Sequence, residues 1–192
     1  EKLAILQHTI ERLTDAGYVY IGMDHFARPD DELAVAQREG SLYRNFQGYS
    51  THADCDLVAM GITAIGKVGD TYSQNVKTLE EYSALLDAGR LPVFRGIALS
   101  EDDKLRRAVI TQLICHFELN FARIEQAFPI RFRDHFAAEL EEFKAMQADG
   151  LLDMSAHSIV VHPAGKLLIR NICMVFDTYL RVAQKQRFSK VI

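Results

Sequence analysis

Only three cysteines occur in the chain, Cys55, Cys115 and Cys173, and they stand far apart. That scatter matches neither a disulfide framework nor the ligand spacing of a zinc or iron–sulfur site. Reduced, buried thiols in a cytoplasmic protein are therefore the expectation, with no residue assigned to a metal. An excess of basic residues is missing as well. Lys and Arg number 22 against 26 Asp and Glu, a net charge of −4, which removes the counterion-release route to nucleic acid. No apolar run approaches the ~18 residues that a membrane span needs, and no signal peptide opens the chain. Internal repeats and low-complexity segments are lacking. The first residues are Glu1-Lys2-Leu3 with no initiator methionine, which either simple processing or a start within a longer protein would explain. What remains suits a globular fold: 192 residues, 48 % hydrophobic and 25 % charged, can bury one good core or two small ones.

Helical spacing of Leu3, Leu6, Ile10 and Leu13, closed by Gly17, predicts an amphipathic first helix. It feeds a strand over Tyr18–Met23, whose alternating apolar residues end in the polar cluster Asp24, His25 and Arg28. Asp30 through Arg38 reads as a helix with acidic residues in its first turn, ended by Gly40. Leu42–Tyr49 fits either a short strand or an extended loop. Leu57–Val68, apolar and rich in small residues, stays ambiguous. Thr78–Asp87 is a further helix, stopped by Gly89.

From about Ser100 the pattern turns helical. Ser100-Glu-Asp-Asp103 caps a helix carrying Leu105, Val109, Leu113 and Phe117. Asn120 caps a short helix through Ala127, and Phe132, Phe136, Leu140 and Phe143 mark a third, ended at Gly150. Two short β runs, Leu151–Met154 and Ser158–His162, precede a final helix from Pro163 to about Gln184. Helix, helix, helix and hairpin is the order of a winged helix. Gly89, Pro92 and Gly96 interrupt the pattern and suggest a boundary within 90–100, dividing the chain into residues 1–97 and 98–192.

Several positions carry chemistry. Asp24 and His25 sit where a strand ends, a usual place for function in α/β folds, although the same pair serves equally as a turn cap and a satisfied loop histidine. Phe46 and Gln47 precede the permissive Gly48 and offer an apolar wall beside a neutral amide. Gly61-Ile-Thr-Ala-Ile-Gly66 lacks the lysine of a phosphate-binding loop and reads as close backbone packing. Arg170 lies among apolar neighbours on the last helix. It is either paired within the protein or a cation for a carboxylate-rich ligand, with Arg28 and Arg44 as rivals for that role. The third helix of the winged-helix arrangement carries Asp134, Glu139, Glu141 and Glu142, charges unsuited to DNA phosphates.

The strings Gly22-Met-Asp-His-Phe-Ala27, Asn45-Phe-Gln-Gly-Tyr49, Arg95-Gly-Ile-Ala-Leu99, Arg170-Asn-Ile-Cys-Met174 and Phe188-Ser-Lys-Val-Ile192 appear in that order. Together they resemble the oxygen-independent coproporphyrinogen III oxidase family, radical-SAM oxidoreductases of porphyrin and haem biosynthesis. The resemblance implies an α+β fold: the terminal portion of a partial (β/α) barrel in 1–97, then a mostly helical, winged-helix-like C-terminal domain in 98–192. It implies a [4Fe–4S] cluster held by a CxxxCxxC motif that these residues do not contain, and S-adenosylmethionine contacts at Ile65, Gln47 and Phe46. In the family the cluster cleaves S-adenosylmethionine to a radical that abstracts hydrogen from a propionate of coproporphyrinogen III, and decarboxylation, done twice, gives protoporphyrinogen IX. Asp24, His25, Arg28 and Arg170 are the substrate or active-site candidates, with no catalytic residue assigned. The expected partners are coproporphyrinogen III and the missing N-terminal part of the same protein, in the cytoplasm, without nucleic acid or membrane. The fragment alone is expected to be inactive. The alternatives are a radical-SAM-related haem chaperone and a stand-alone winged-helix binding module.

Overall fold

The computed structural model describes residues 2–182. The Phe188–Ile192 string and the predicted end of the last helix lie outside the described residues. The chain forms two compact units, one of residues up to 45, 49–51 and from 105 on, the other of residues 46–48 and 52–104.

The first unit opens with α1 (Lys2–Asp15), followed by β1 (Val19–Gly22) and β2 (His25–Ala27), an antiparallel hairpin. Helix α2 (Glu32–Glu39) starts because the Asp31 carboxylate accepts the Leu33 N–H at 2.9 Å. It stops at Gly40, whose φ of 74° a β-carbon would penalise. The open alternative at Leu42–Tyr49 resolves as a two-stranded ribbon of β3 (Tyr43–Asn45) and β4 (Gly48–Ser50). Ile21, Ala34, Leu42, Tyr49 and Cys115 form a small buried cluster beneath these elements.

The second unit contains β5 (Ile65–Val68), β6 (Thr71–Asn75), α3 (Leu79–Asp87) and β7 (Val93–Ala98). Its sheet runs β5-β6-β7 with both pairings antiparallel. The ambiguous 57–68 segment is irregular until β5. The buried Asn75 amide ties its loop down by donating to the carbonyls of Ala59 (3.3 Å) and Gly61 (2.9 Å). The stretch where glycine and proline suggest an interruption is the ordered strand β7. Gly96 allows it, since a β-carbon there would lie 2.9 Å from the Tyr72 carbonyl oxygen.

Helix α4 (Glu101–His116) begins with a reciprocal capping box: Ser100 Oγ accepts the Asp103 N–H at 3.1 Å, and the Asp103 carboxylate accepts the Ser100 N–H at 2.9 Å. There follow β8 (Glu118–Asn120), α5 (Phe121–Ala127), α6 (Phe132–His135), α7 (Ala137–Ala148), β9 (Leu152–Met154), β10 (Ser158–Val161), α8 (Pro163–Leu167), α9 (Ile169–Met174) and α10 (Thr178–Val182). Three helices then a β wing is the winged-helix order, with β10 central between β8 and β9. β8 escapes a sequence reading because only Leu119 of its three residues is buried.

The predicted third helix is broken at Phe136 (φ −106°, ψ 28°), which lets both Phe132 and Phe136 enter the core and meet at 4.7 Å between ring centroids. The predicted final helix is likewise interrupted at Leu168, and the Asp177 carboxylate starts α10 by accepting the Tyr179 N–H at 2.9 Å. Buried aromatic and aliphatic side chains of this kind stabilise by about 1.5–3 kcal/mol each. The fold is α+β, with a winged-helix-like C-terminal half. The strands form separate open sheets, and no barrel closes among the described residues.

Candidate functional site

Hairpin β1–β2 explains how Asp24 and His25 are presented. A bulge between Tyr20 and Gly22 shifts the register, and Gly22 (φ 144°) and Met23 (φ 58°) turn the chain sharply. Tyr20 donates its hydroxyl to the Met23 carbonyl at 3.0 Å, pinning that turn. Burial, with the nearby Asp24 charge, raises the Tyr20 pKa and keeps it a donor. Asp24 projects outward, its side chain 85 % exposed, with Oδ1 2.8 Å from His25 Nδ1.

Behind the hairpin, the His25 ring meets the Tyr49 ring edge-on at 5.1 Å. Tyr49 donates to the Ile114 carbonyl at 3.0 Å, and burial pushes its pKa well up although the Arg44 charge opposes the shift. The Arg44 guanidinium lies over the Tyr49 ring, 4.7 Å from its centroid. Asp24, His25, Tyr49 and Arg44 thus form one connected group. Arg28 does not join it, pairing instead with Asp30 at 3.5 Å on the surface. Arg170 is exposed on α9, and no described contact brings it to this group. Tyr49 was missed by sequence reasoning, although it closes the Asn45–Tyr49 string; its role depends on contacts with Arg44, His25 and Ile114 that no spacing announces.

The second unit holds the other three predicted site residues. Phe46 is 58 % exposed and packs edge-on against Tyr72 at 5.6 Å. Ile65 pairs with Gln74 and Lys67 pairs with Tyr72, so all four side chains share one face of the sheet. Phe46 therefore extends the face that carries Ile65. Gln47 is exposed in the adjoining turn. On the same face Gln74 accepts a hydrogen bond from Arg95 Nε at 2.9 Å. The arrangement offers an apolar wall edged by amides and a cation, suited to an organic cofactor with both apolar and polar parts.

Metal chemistry is a different matter. Among the described residues no group of three or more His, Cys, Asp or Glu side chains could hold a metal ion. Of the three thiols expected to be buried, Cys55 is exposed in the irregular stretch before β5, whereas Cys115 and Cys173 are buried, and burial pushes the Cys115 thiol up to about 12 and the Cys173 thiol higher still. Protonated core thiols do not fit as ligands of an iron–sulfur cluster. Glu139 does not face outward from the third helix; it is buried and pairs with Arg106, Oε1 to Nη1 2.9 Å.

Residues 99–168 match the family model of the HemN C-terminal domain. Along all 192 residues the chain is 54 % identical to oxygen-independent coproporphyrinogen III oxidase of Pseudomonas aeruginosa and spans 42 % of that protein. Its identity to the same-named protein of Escherichia coli is 55 %, again over 42 % of the relative's length. The relative from Thermostichus vulcanus is 47 % identical and covered to 59 %. The solved structure of E. coli coproporphyrinogen III oxidase, described as a radical SAM enzyme, matches with a TM-score of 0.88 and 55 % identity, over 93 % of this chain and 41 % of that one. The chain thus spans less than half the length of the first two relatives.

Proposed function

Because the chain belongs to the oxygen-independent coproporphyrinogen III oxidase family, we propose that it is part of an enzyme converting coproporphyrinogen III to protoporphyrinogen IX without oxygen. The observation that carries this reading is the 54 % identity sustained along the whole chain. In that enzyme residues 1–97 are the last part of the catalytic barrel and residues 98–192 the domain that covers its site. Residues outside this chain hold the [4Fe–4S] cluster; the wide separation of Cys55, Cys115 and Cys173 and the burial of the latter two support that division.

S-adenosylmethionine fits the second unit's exposed face. Phe46 and Ile65 would pack against its apolar parts, and the Gln47 amide would hydrogen-bond its polar end. Bound there, the cofactor would supply the radical chemistry that removes hydrogen from a substrate propionate. The chain's own contributions are orientation of the cofactor and exclusion of water by the Phe46 wall. Asp24, His25, Arg28 and Arg170 remain proposed substrate-site residues, Asp24 and His25 having the closest mutual geometry. Location in the cytoplasm, where the substrate is made soluble by its carboxylates, belongs to the same proposal.

The test is anaerobic turnover of the full-length protein with reduced cluster, S-adenosylmethionine and coproporphyrinogen III, followed by protoporphyrin fluorescence after oxidation. Product from the full-length protein and none from residues 1–192 alone is the expected result. Turnover by the isolated chain would overturn the division of labour, and haem binding without any turnover by the full-length protein would indicate a chaperone instead.

A further inference from the structure

Arg44, in the first unit, carries a charge that no described carboxylate answers. It is half-buried on β3, beside the cluster that contains Tyr49 and Cys115. Its Nη1 is buried and has no hydrogen-bond acceptor within reach. Among the described residues no carboxylate forms an ion pair with it; the Tyr49 ring face is its contact. Removing a guanidinium from water without a counter-ion is costly, and one aromatic face compensates only part of the loss.

Every neighbour holds the group in place. Tyr49 is fixed by its hydrogen bond to the Ile114 carbonyl and by the His25 ring at its edge. Cys115, the other polarisable group near the guanidinium, is a neutral thiol and supplies no negative charge. The Asp24 carboxylate lies 2.8 Å from His25 Nδ1, and no described contact brings it to Arg44. Arg28, by contrast, already has its carboxylate in Asp30. A guanidinium stacked on an aromatic face without a counter-ion is a site for an incoming carboxylate, which it binds through the N–H groups of the edge that the protein leaves uncovered, since Nη1 itself is buried.

We propose that Arg44, stacked on Tyr49, is a substrate-anchoring residue that pairs with a carboxylate of the tetrapyrrole. This inference rests on the proposed function above for the identity of the carboxylate. Arg44 is not a catalytic residue in this account. It sets which substituent is held and which is left free to react, so the number of free carboxylates on the ligand controls affinity.

The experiment uses the full-length protein and two stable probes, coproporphyrin III and its tetramethyl ester, with binding followed by porphyrin fluorescence. The unmutated protein should bind the acid at least 10-fold more tightly than the ester. Arg44→Gln should weaken the acid about 10- to 100-fold, as loss of a charge-assisted pair implies, and leave ester binding within 2-fold. Arg44→Lys, which keeps the charge but loses the fork, should fall between. Equal binding of acid and ester by the unmutated protein overturns the proposal without any variant. So does an Arg44→Gln protein with unchanged acid binding. Equal loss of acid and ester in both variants, with a lowered melting temperature, means that Arg44 pairs instead with another part of the polypeptide, and the proposal fails. Absence of binding for either porphyrin by the unmutated protein refutes the functional reading itself, a separate result.

Discussion

Replacing Gly22 with alanine tests the way this chain presents Asp24 and His25. A β-carbon at residue 22 would collide with the Tyr49 hydroxyl and approach Phe117 Cζ to 3.1 Å. Residue 22 also has φ of 144°, a backbone region that only glycine adopts freely. Two costs therefore add. Holding alanine in that conformation costs about 1–3 kcal/mol. Displacing the Tyr49 hydroxyl from the Ile114 carbonyl leaves a buried donor and acceptor unpaired, a further cost of about 1–3 kcal/mol. Gly22→Ala should thus destabilise by about 2–6 kcal/mol in denaturant unfolding. Tyr49→Phe alone removes the hydroxyl and should cost about 1–2 kcal/mol. The two residues touch, so their effects must couple: with the hydroxyl gone, most of the collision goes with it. The double variant should be about 1–3 kcal/mol more stable than the sum of the single changes. Strict additivity would refute the packing argument, because the collision would then not lie at Tyr49. A Gly22→Ala loss below about 1 kcal/mol would refute the strain argument as well.

Glu139→Gln should cost about 1.5–3 kcal/mol, since it removes the charge of a hydrogen bond that Arg106, only 13 % exposed, makes to a buried carboxylate at 2.9 Å; replacing both residues by apolar ones of similar volume should restore most of the loss in the same unfolding assay. Ser100→Ala removes the cap of α4 and should cost about 1 kcal/mol, read as earlier fraying of residues 101–104 by hydrogen exchange. Protonated His162 is favoured by its hydrogen bond to Asp153 (2.9 Å) and then by the Gly150 carbonyl, so its folded pKa lies above the unfolded value of about 6.5. The stability it adds is fully present below pH 6.5 and is lost as pH rises through the folded pKa. Asp153→Asn should therefore lower the melting temperature more at pH 5.5 than at pH 8.5, and an equal effect at both would count against the pairing. Phe46→Ala in the full-length protein should raise the KM for S-adenosylmethionine with little change in melting temperature, because the ring is mostly exposed; an unchanged KM would remove Phe46 from the cofactor site.

Local rules were legible in the residues themselves. The caps at Ser100 and Asn120 and the stops at Gly40, Gly89 and Gly150 follow from backbone chemistry within a few residues, and each stands in the structure. The Leu105, Val109 and Leu113 stripe marked its own buried face for the same reason: helical period alone decides which side chains share a side. The ordered strings pointed to the family, since similarity between sequences needs no coordinates. Tertiary structure decided what local pattern leaves degenerate. β8 exists only because β10 pairs with it, and the breaks at Phe136 and Leu168 place large side chains in a common core. Glu139 looked like one more surface acid until Arg106, 33 residues earlier, was seen to bury it. Arg28 and Arg44 were equal candidates as residue types. Asp30 answers the charge of the first, while the second is stacked on Tyr49 with no counter-ion, a difference that depends on contacts across the fold.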